Sequence, residues 1–285
     1  MVHIITDTTA GLPAAVARTY DIPVIPQVIH FGSESFLEGV DLDNVHFMQR
    51  LRQARELPKT AAPPPELFIE AFQRLTPLGE PILCMHPSAE LSGTVRSALT
   101  AKVEFPAADI RVIDTRLIGS PLATLVTLAA EWAKAGMDAS SIVERIHIMI
   151  PHCHIYFVVA TLEYLARGGR IGGATALLGS VMQIKPILAL KDGKIDVLER
   201  ERTQKRAMTR VTELVYERIA RDGSGYPSVM HAAEPERAHL LADELRAHLG
   251  VPDVPILDVP PAIVVHGGPG ILGVAFFSQT GQPNG

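Results

Sequence analysis

Short β-branched and aliphatic runs alternate along the chain with longer stretches in which apolar residues recur at helical spacing. Residues 3–6, 24–30, 82–85 and 110–114 read as strands, and residues 12–20, 44–56, 66–75, 93–102 and 121–135 as helices. Strands alternating with helices predict βαβ units and a mainly parallel sheet. Asp43 is placed to cap the second helix, and Asp138 or Ser140 to cap another running to about Met149. Beyond Pro151 the pattern restarts. Residues 156–160 read as a strand, and two short apolar runs, 187–190 and 195–198, flank Asp192-Gly193, a two-residue hairpin turn. Residues 203–221 and 235–249 read as helices, and 228–232, 256–259 and 263–266 as strands. The expected architecture is α/β in two domains: residues 1–155 with a mainly parallel sheet, and residues 156–285 forming a second α/β domain.

Composition narrows the class. Of 285 residues, 47% are hydrophobic and 20% charged, ample for a packed core. A formal charge of −5 argues against a nucleic-acid partner. The two cysteines, Cys84 and Cys153, sit in strand-like contexts and make no disulfide framework, so a reducing compartment is expected. The N-terminus lacks the basic and long apolar regions of a secretory signal, and the apolar runs are shorter than the roughly 20 residues of a membrane span. A cytoplasmic chain without stable membrane insertion is the expectation.

Candidate chemistry sits on loops. Ser88-Ala89-Glu90-Leu91-Ser92-Gly93-Thr94 follows a strand and opens a helix. The ordinary reading makes Ser92 a helix cap. Loops at the carboxyl ends of parallel strands are also where ligands bind, and a helix start suits a carboxylate or phosphate. Thr6-Asp7-Thr8-Thr9 occupies the same rim, with Asp7 as loop organiser or turn cap. Lys59-Thr60-Ala61-Ala62-Pro63-Pro64-Pro65 is a stiff segment before a helix, with Thr60 extended. Arg167-Gly168-Gly169-Arg170-Ile171-Gly172-Gly173 brings backbone close to a ligand or to the other domain. Near the C-terminus, Gly268 to Gly273 spells a dinucleotide-type glycine pattern, but a strand-like run follows and no βαβ unit fits behind it. His266 before that turn reads as a polar group presented to a pocket, or as a satisfied core histidine. His152 and His154 share a strand face that Cys153 cannot join, so no metal is expected.

In order, these pieces resemble the DegV family of bacterial fatty-acid-binding proteins. Ile5-Thr6-Asp7-Thr8-Thr9-Ala10-Gly11-Leu12-Pro13 is similar to the family's opening, and Glu38-Gly39-Val40-Asp41-Leu42 to its D-G-V-D-L. Leu91-Ser92-Gly93-Thr94 with Ser97-Ala98, and Val112-Ile113-Asp114-Thr115, resemble two further motifs. Three more follow: the run from Thr161 to Ile171, the stretch from Leu178-Gly179 to Ile184-Lys185-Pro186-Ile187, and His266-Gly267-Gly268-Pro269-Gly270. The resemblance implies a two-domain DegV-like fold with a fatty acid such as palmitate or stearate in an apolar pocket between and within the domains. It puts the carboxylate on Ser92 and Thr60, and makes Gly93, Thr94, His266 and Arg170 further ligand contacts. It also implies a carrier without catalysis of its own and without a cofactor, serving phospholipid metabolism by presenting its lipid to a fatty acid kinase that makes the acyl phosphate. Burying about 15 methylenes at ~0.8 kcal/mol each gives ~12 kcal/mol gross, so the tail dominates affinity and the head group mainly needs orientation. The chain departs from the family at Ala61 and Ala62, where polar residues are usual, and at Val95 and Gly267. Two other readings compete: a serine hydrolase using Ser92 with His86 or His266 as base and Asp114 as orienter, and a phosphate-ligand regulatory module.

Overall fold

The computed structural model describes residues 1–178 and 184–279. Gly179, within the sixth of the seven motifs, lies outside the described residues. The contacts group the chain into two units. The first comprises Met1–Ile148 with Pro260–Val265, and the second Met149–Val259 with His266–Gly285.

In the first unit the strands are β1 (His3–Asp7), β2 (Val24–Ile25), β3 (Val28–Phe31), β4 (Glu34–Leu37), β5 (Lys59–Ala61), β6 (Ile82–His86) and β7 (Ile110–Asp114). The helices are α1 (Ala14–Thr19), α2 (Asn44–Gln53), α3 (Pro65–Leu75), α4 (Thr94–Lys102), α5 (Ser120–Lys134) and α6 (Ala139–Met149). The main sheet has the order β2-β1-β6-β7, with every pair parallel. All five residues of β6 are buried, as a strand covered on both faces requires. Phe68, Phe72 and Leu75 of α3 and Ala98 and Ala101 of α4 pack on Ile5, Ile82, Cys84 and Ile110, while α5 packs on β1 and β6. Asp43 caps α2 as expected, accepting from His46 N at 2.8 Å.

One expected strand, residues 24–30, is in fact two. Pro26-Gln27 breaks it, because proline removes a ladder donor. β2 joins the main sheet, and β3 enters a second, antiparallel sheet of order β4-β3-β5. The stiff Lys59-Thr60-Ala61 segment is therefore an edge strand, with Thr60 opposite Ile29.

In the second unit the strands are β8 (Cys153–Val158), β9 (Lys185–Lys191), β10 (Lys194–Glu201), β11 (Ser228–His231), β12 (Ile256–Asp258) and β13 (Leu272–Phe277). They form one mixed sheet of order β10-β9-β8-β13-β11-β12. The helices are α7 (Glu163–Arg167), α8 (Gln204–Arg218), α9 (Pro235–Leu249) and α10 (Pro261–Gly267), the last running from a first-unit segment into a second-unit one. Val211, Leu214 and Val215 of α8 and Leu241 and Leu245 of α9 bury Tyr156, Ile187, Val229, Val274 and Phe276 of the sheet. Asp192 and Gly193 both have positive φ, 50° and 79°, in a two-residue β9–β10 hairpin of the expected kind. Residues 263–266, expected as a strand, are helical. The apolar run suits either structure, and Pro261 at the helix start supplies a φ already set for a helix. Among the described residues no helix is long and apolar enough to cross a membrane.

Candidate functional site

β1 and β6 are parallel neighbours in register Ile5 to Cys84, which brings Asp7 and His86 together at their carboxyl ends. Both side chains are fully buried. Asp7 Oδ2 accepts from His86 Nδ1 at 2.8 Å, while Oδ1 accepts from Thr9 N, Thr9 Oγ1 and Gln27 Nε2 at 3.0, 2.6 and 3.0 Å. Asp7 thus caps the turn that follows β1 and also anchors a side-chain network.

From β6 the chain passes through the Ser92 turn into α4. The N–H groups of Leu91 and Ser92 both donate to Ser88 O at 3.0 Å. Gly93, rather than Ser92, takes the cap position of α4, and its side of the turn carries no capping hydroxyl. Ser92 Oγ instead accepts from Thr94 N at 3.3 Å and lies 2.8 Å from Thr94 Oγ1, which accepts from Gln27 Nε2 at 2.9 Å. Thr94 is fully buried, Gln27 nearly so, and Ser92 half-buried. A Cβ added to Gly93 would lie 3.3 Å from the Ala62 Cβ, so the segment continuing from Thr60 packs against the Ser92 turn. The structure therefore brings Ser92, Gly93 and Thr94 together with Ala62, two residues beyond Thr60, which itself pairs with Ile29 on β3.

Glu38 is buried beside this network. It accepts from Ala262 N at 2.9 Å and from the Thr8 hydroxyl. Burial, with Asp7 adding repulsion, outweighs those bonds and pushes its carboxyl up to about 7. Neither Gln27 nor Glu38 was singled out as a site residue from the sequence. Glu38 lay in a family-like motif, but nothing in the sequence around Gln27 marked it.

His266 and Arg170 belong to the second unit. Arg170 Nη1 donates to Gly168 O at 2.6 Å. A Cβ on Gly168 would stand 2.3 Å from His266 Nδ1, so the glycine is what lets the imidazole lie against this loop. Burial and then the Arg170 charge lower the His266 pKa to about 4, leaving it neutral at pH 7. Gly268, at φ +77°, packs against the Tyr164 ring.

Within the first unit, Ser92 is hydrogen-bonded to Thr94. His86 spends Nδ1 on Asp7, and Asp114 accepts from Ala89 N and Arg116 N as a turn residue. Among the described residues no group of three or more His, Cys, Asp or Glu side chains is placed to hold a metal ion.

The profile of the DegV family, described as uncharacterised proteins, matches residues 1–279. A DegV domain-containing protein from Streptomyces coelicolor is 38% identical over 283 residues, covering 98% of this chain and 99% of the relative. Among solved structures, a DegV family protein from Thermus thermophilus characterised for fatty acid binding superposes with a TM-score of 0.90 at 27% identity, covering 98% of this chain and 99% of that one. A fatty acid binding DegV family protein from Streptococcus agalactiae superposes with a TM-score of 0.89 at 30% identity, with coverages of 98% and 99%.

Proposed function

The chain belongs to the DegV family, and from that premise we propose that it binds a long-chain fatty acid, with the carboxylate received by the hydroxyl groups of Ser92 and Thr60. The observation that carries this reading is the half-buried Ser92 hydroxyl, held at the carboxyl end of the central strand by Thr94. Neutral hydroxyl and amide donors satisfy a carboxylate without the grip of a buried arginine. That suits a carrier which has to release its cargo. Gly93 lets Ala62 and Arg96 lie close against the turn, and Thr94 supports Ser92 rather than reaching outward. From the second unit, His266 and Arg170 are proposed lipid contacts on the family resemblance alone. The solved relatives from T. thermophilus and S. agalactiae, both concerned with fatty acid binding, support the choice of ligand. We further propose that the protein has no catalysis of its own and presents the bound acid to a fatty acid kinase for acyl phosphate formation.

Protein purified from bacteria and denatured should release a fatty acid detectable by mass spectrometry. Repeated purification without lipid, together with no binding of added acids of about 14 to 18 carbons, would overturn the reading. Ser92→Ala should weaken acid binding by ~1–3 kcal/mol, the worth of a hydrogen bond to a charged group.

A further inference from the structure

The buried side chains behind Ser92 form an ordered chain of hydrogen bonds: His86, Asp7, Gln27, Thr94, Ser92. Its direction follows from chemistry. The Asp7 carboxylate only accepts, and it is fully buried with four donors around it. The Gln27 end facing it is therefore the NH2 group. That one nitrogen also lies 2.9 Å from Thr94 Oγ1, so Thr94 Oγ1 accepts a hydrogen bond from Gln27. The Thr94 hydroxyl is fully buried and its own proton needs an acceptor. The acceptor within reach is Ser92 Oγ, at 2.8 Å. Ser92 Oγ thus accepts from both the N–H and the O–H of Thr94. Its own proton is left to point away from the network, on the half-buried side of the turn.

We infer that Asp7 and Gln27 are positioning residues, which through Thr94 fix the Ser92 hydroxyl as an outward donor and so make the turn select a carboxylate over an uncharged acyl head group. This rests on the proposed fatty acid reading and adds a device for head-group selectivity. A carboxylate can only accept, so it depends on the hydroxyl being turned toward it. A fatty alcohol both donates and accepts, and fits either orientation. In a chain without the Gln27 amide, Thr94 can accept from Ser92 instead, and the outward donor is no longer enforced.

The test is a binding comparison of palmitic acid and hexadecanol in wild type, Gln27→Met, Ser92→Ala and the double variant. Gln27→Met keeps the length and bulk of the side chain and removes its amide. It should lose about tenfold in acid affinity, the loss of one well-directed hydrogen bond, while alcohol affinity stays within about twofold. The double variant should bind the acid no worse than Ser92→Ala alone, because Gln27 acts through Ser92. Retained alcohol binding shows that the pocket is folded. If Gln27→Met does not fold, Thr94→Val should give the same selective loss and Thr94→Ser should restore acid binding. Unchanged acid affinity in Gln27→Met, an equal loss for the alcohol, or additive losses in the double variant would each overturn the relay while leaving the lipid-carrier reading intact. A wild type that binds neither ligand would overturn both.

Discussion

Gly168 shows how one missing side chain sets the place of another. Its φ is an unexceptional −76°, so the backbone does not demand glycine. The demand comes from His266, whose Nδ1 occupies the space of a Cβ. Gly168→Ala should therefore destabilise the protein by ~1–3 kcal/mol through overpacking and shift the His266 ring resonances, read by urea unfolding and proton NMR. An unchanged His266 environment would refute the contact. Ser92 was legible because it stands in a motif with recognisable neighbours, whereas Thr60 is expected at the site only from the family resemblance, because Ala61 and Ala62 beside it depart from the family pattern. Gln27 was not legible, because its role arises from partners 20 and 67 residues away, and an isolated glutamine between two strands carries no local pattern. The sequence also allowed Ser92 as a helix cap. The structure moved the cap to Gly93 and bonded the serine to Thr94 instead.

At the scale of elements, strand–helix alternation located most of the fold, and the errors have specific causes. Ile263, Val264 and Val265 are apolar and β-branched, yet Pro261 before them starts a helix. Residues 24–30 read as one strand because the flanking runs are both apolar, and the Pro26 break divides them between two sheets. The β9–β10 hairpin was readable because Asp-Gly favours a turn with two positive φ values. Gly193→Ala forces a β-carbon into φ +79° and should cost about 1–2 kcal/mol, with the denaturant slope unchanged. A change in slope, or a stability equal to wild type, would count against the turn as described.

For the whole molecule, buried ionisable groups set opposing pH dependences. Glu38 titrates near 7 when folded against 4.5 in its ordinary state. Its contribution is fully present below pH 4.5 and is lost as pH rises through about 7, because the folded form holds a proton that the unfolded form has released. His154 and His266, both lowered to about 4 chiefly by burial, act the other way. They favour the fold above 6.5 and lose that contribution as pH falls through about 4. Comparing Glu38→Gln with wild type isolates the acid. The variant should gain roughly 2 kcal/mol relative to wild type between about pH 5 and about pH 8, measured by urea unfolding at each pH. A constant difference across that range would show that Glu38 does not titrate there.

The return of Pro260–Val265 to the first unit has a consequence for the order in which the protein can be made. Chains leave the ribosome N-terminus first, and domains usually fold in that order. Here the first unit must wait. Glu38 is synthesised 224 residues before Ala262, whose N–H it will accept, and nearly all of the second unit emerges in between. Until then Glu38 lacks that partner. The unit that begins the chain therefore closes only after β8 to β12 have emerged, and β13, which joins β8 to β11 in the second unit's sheet, follows later still.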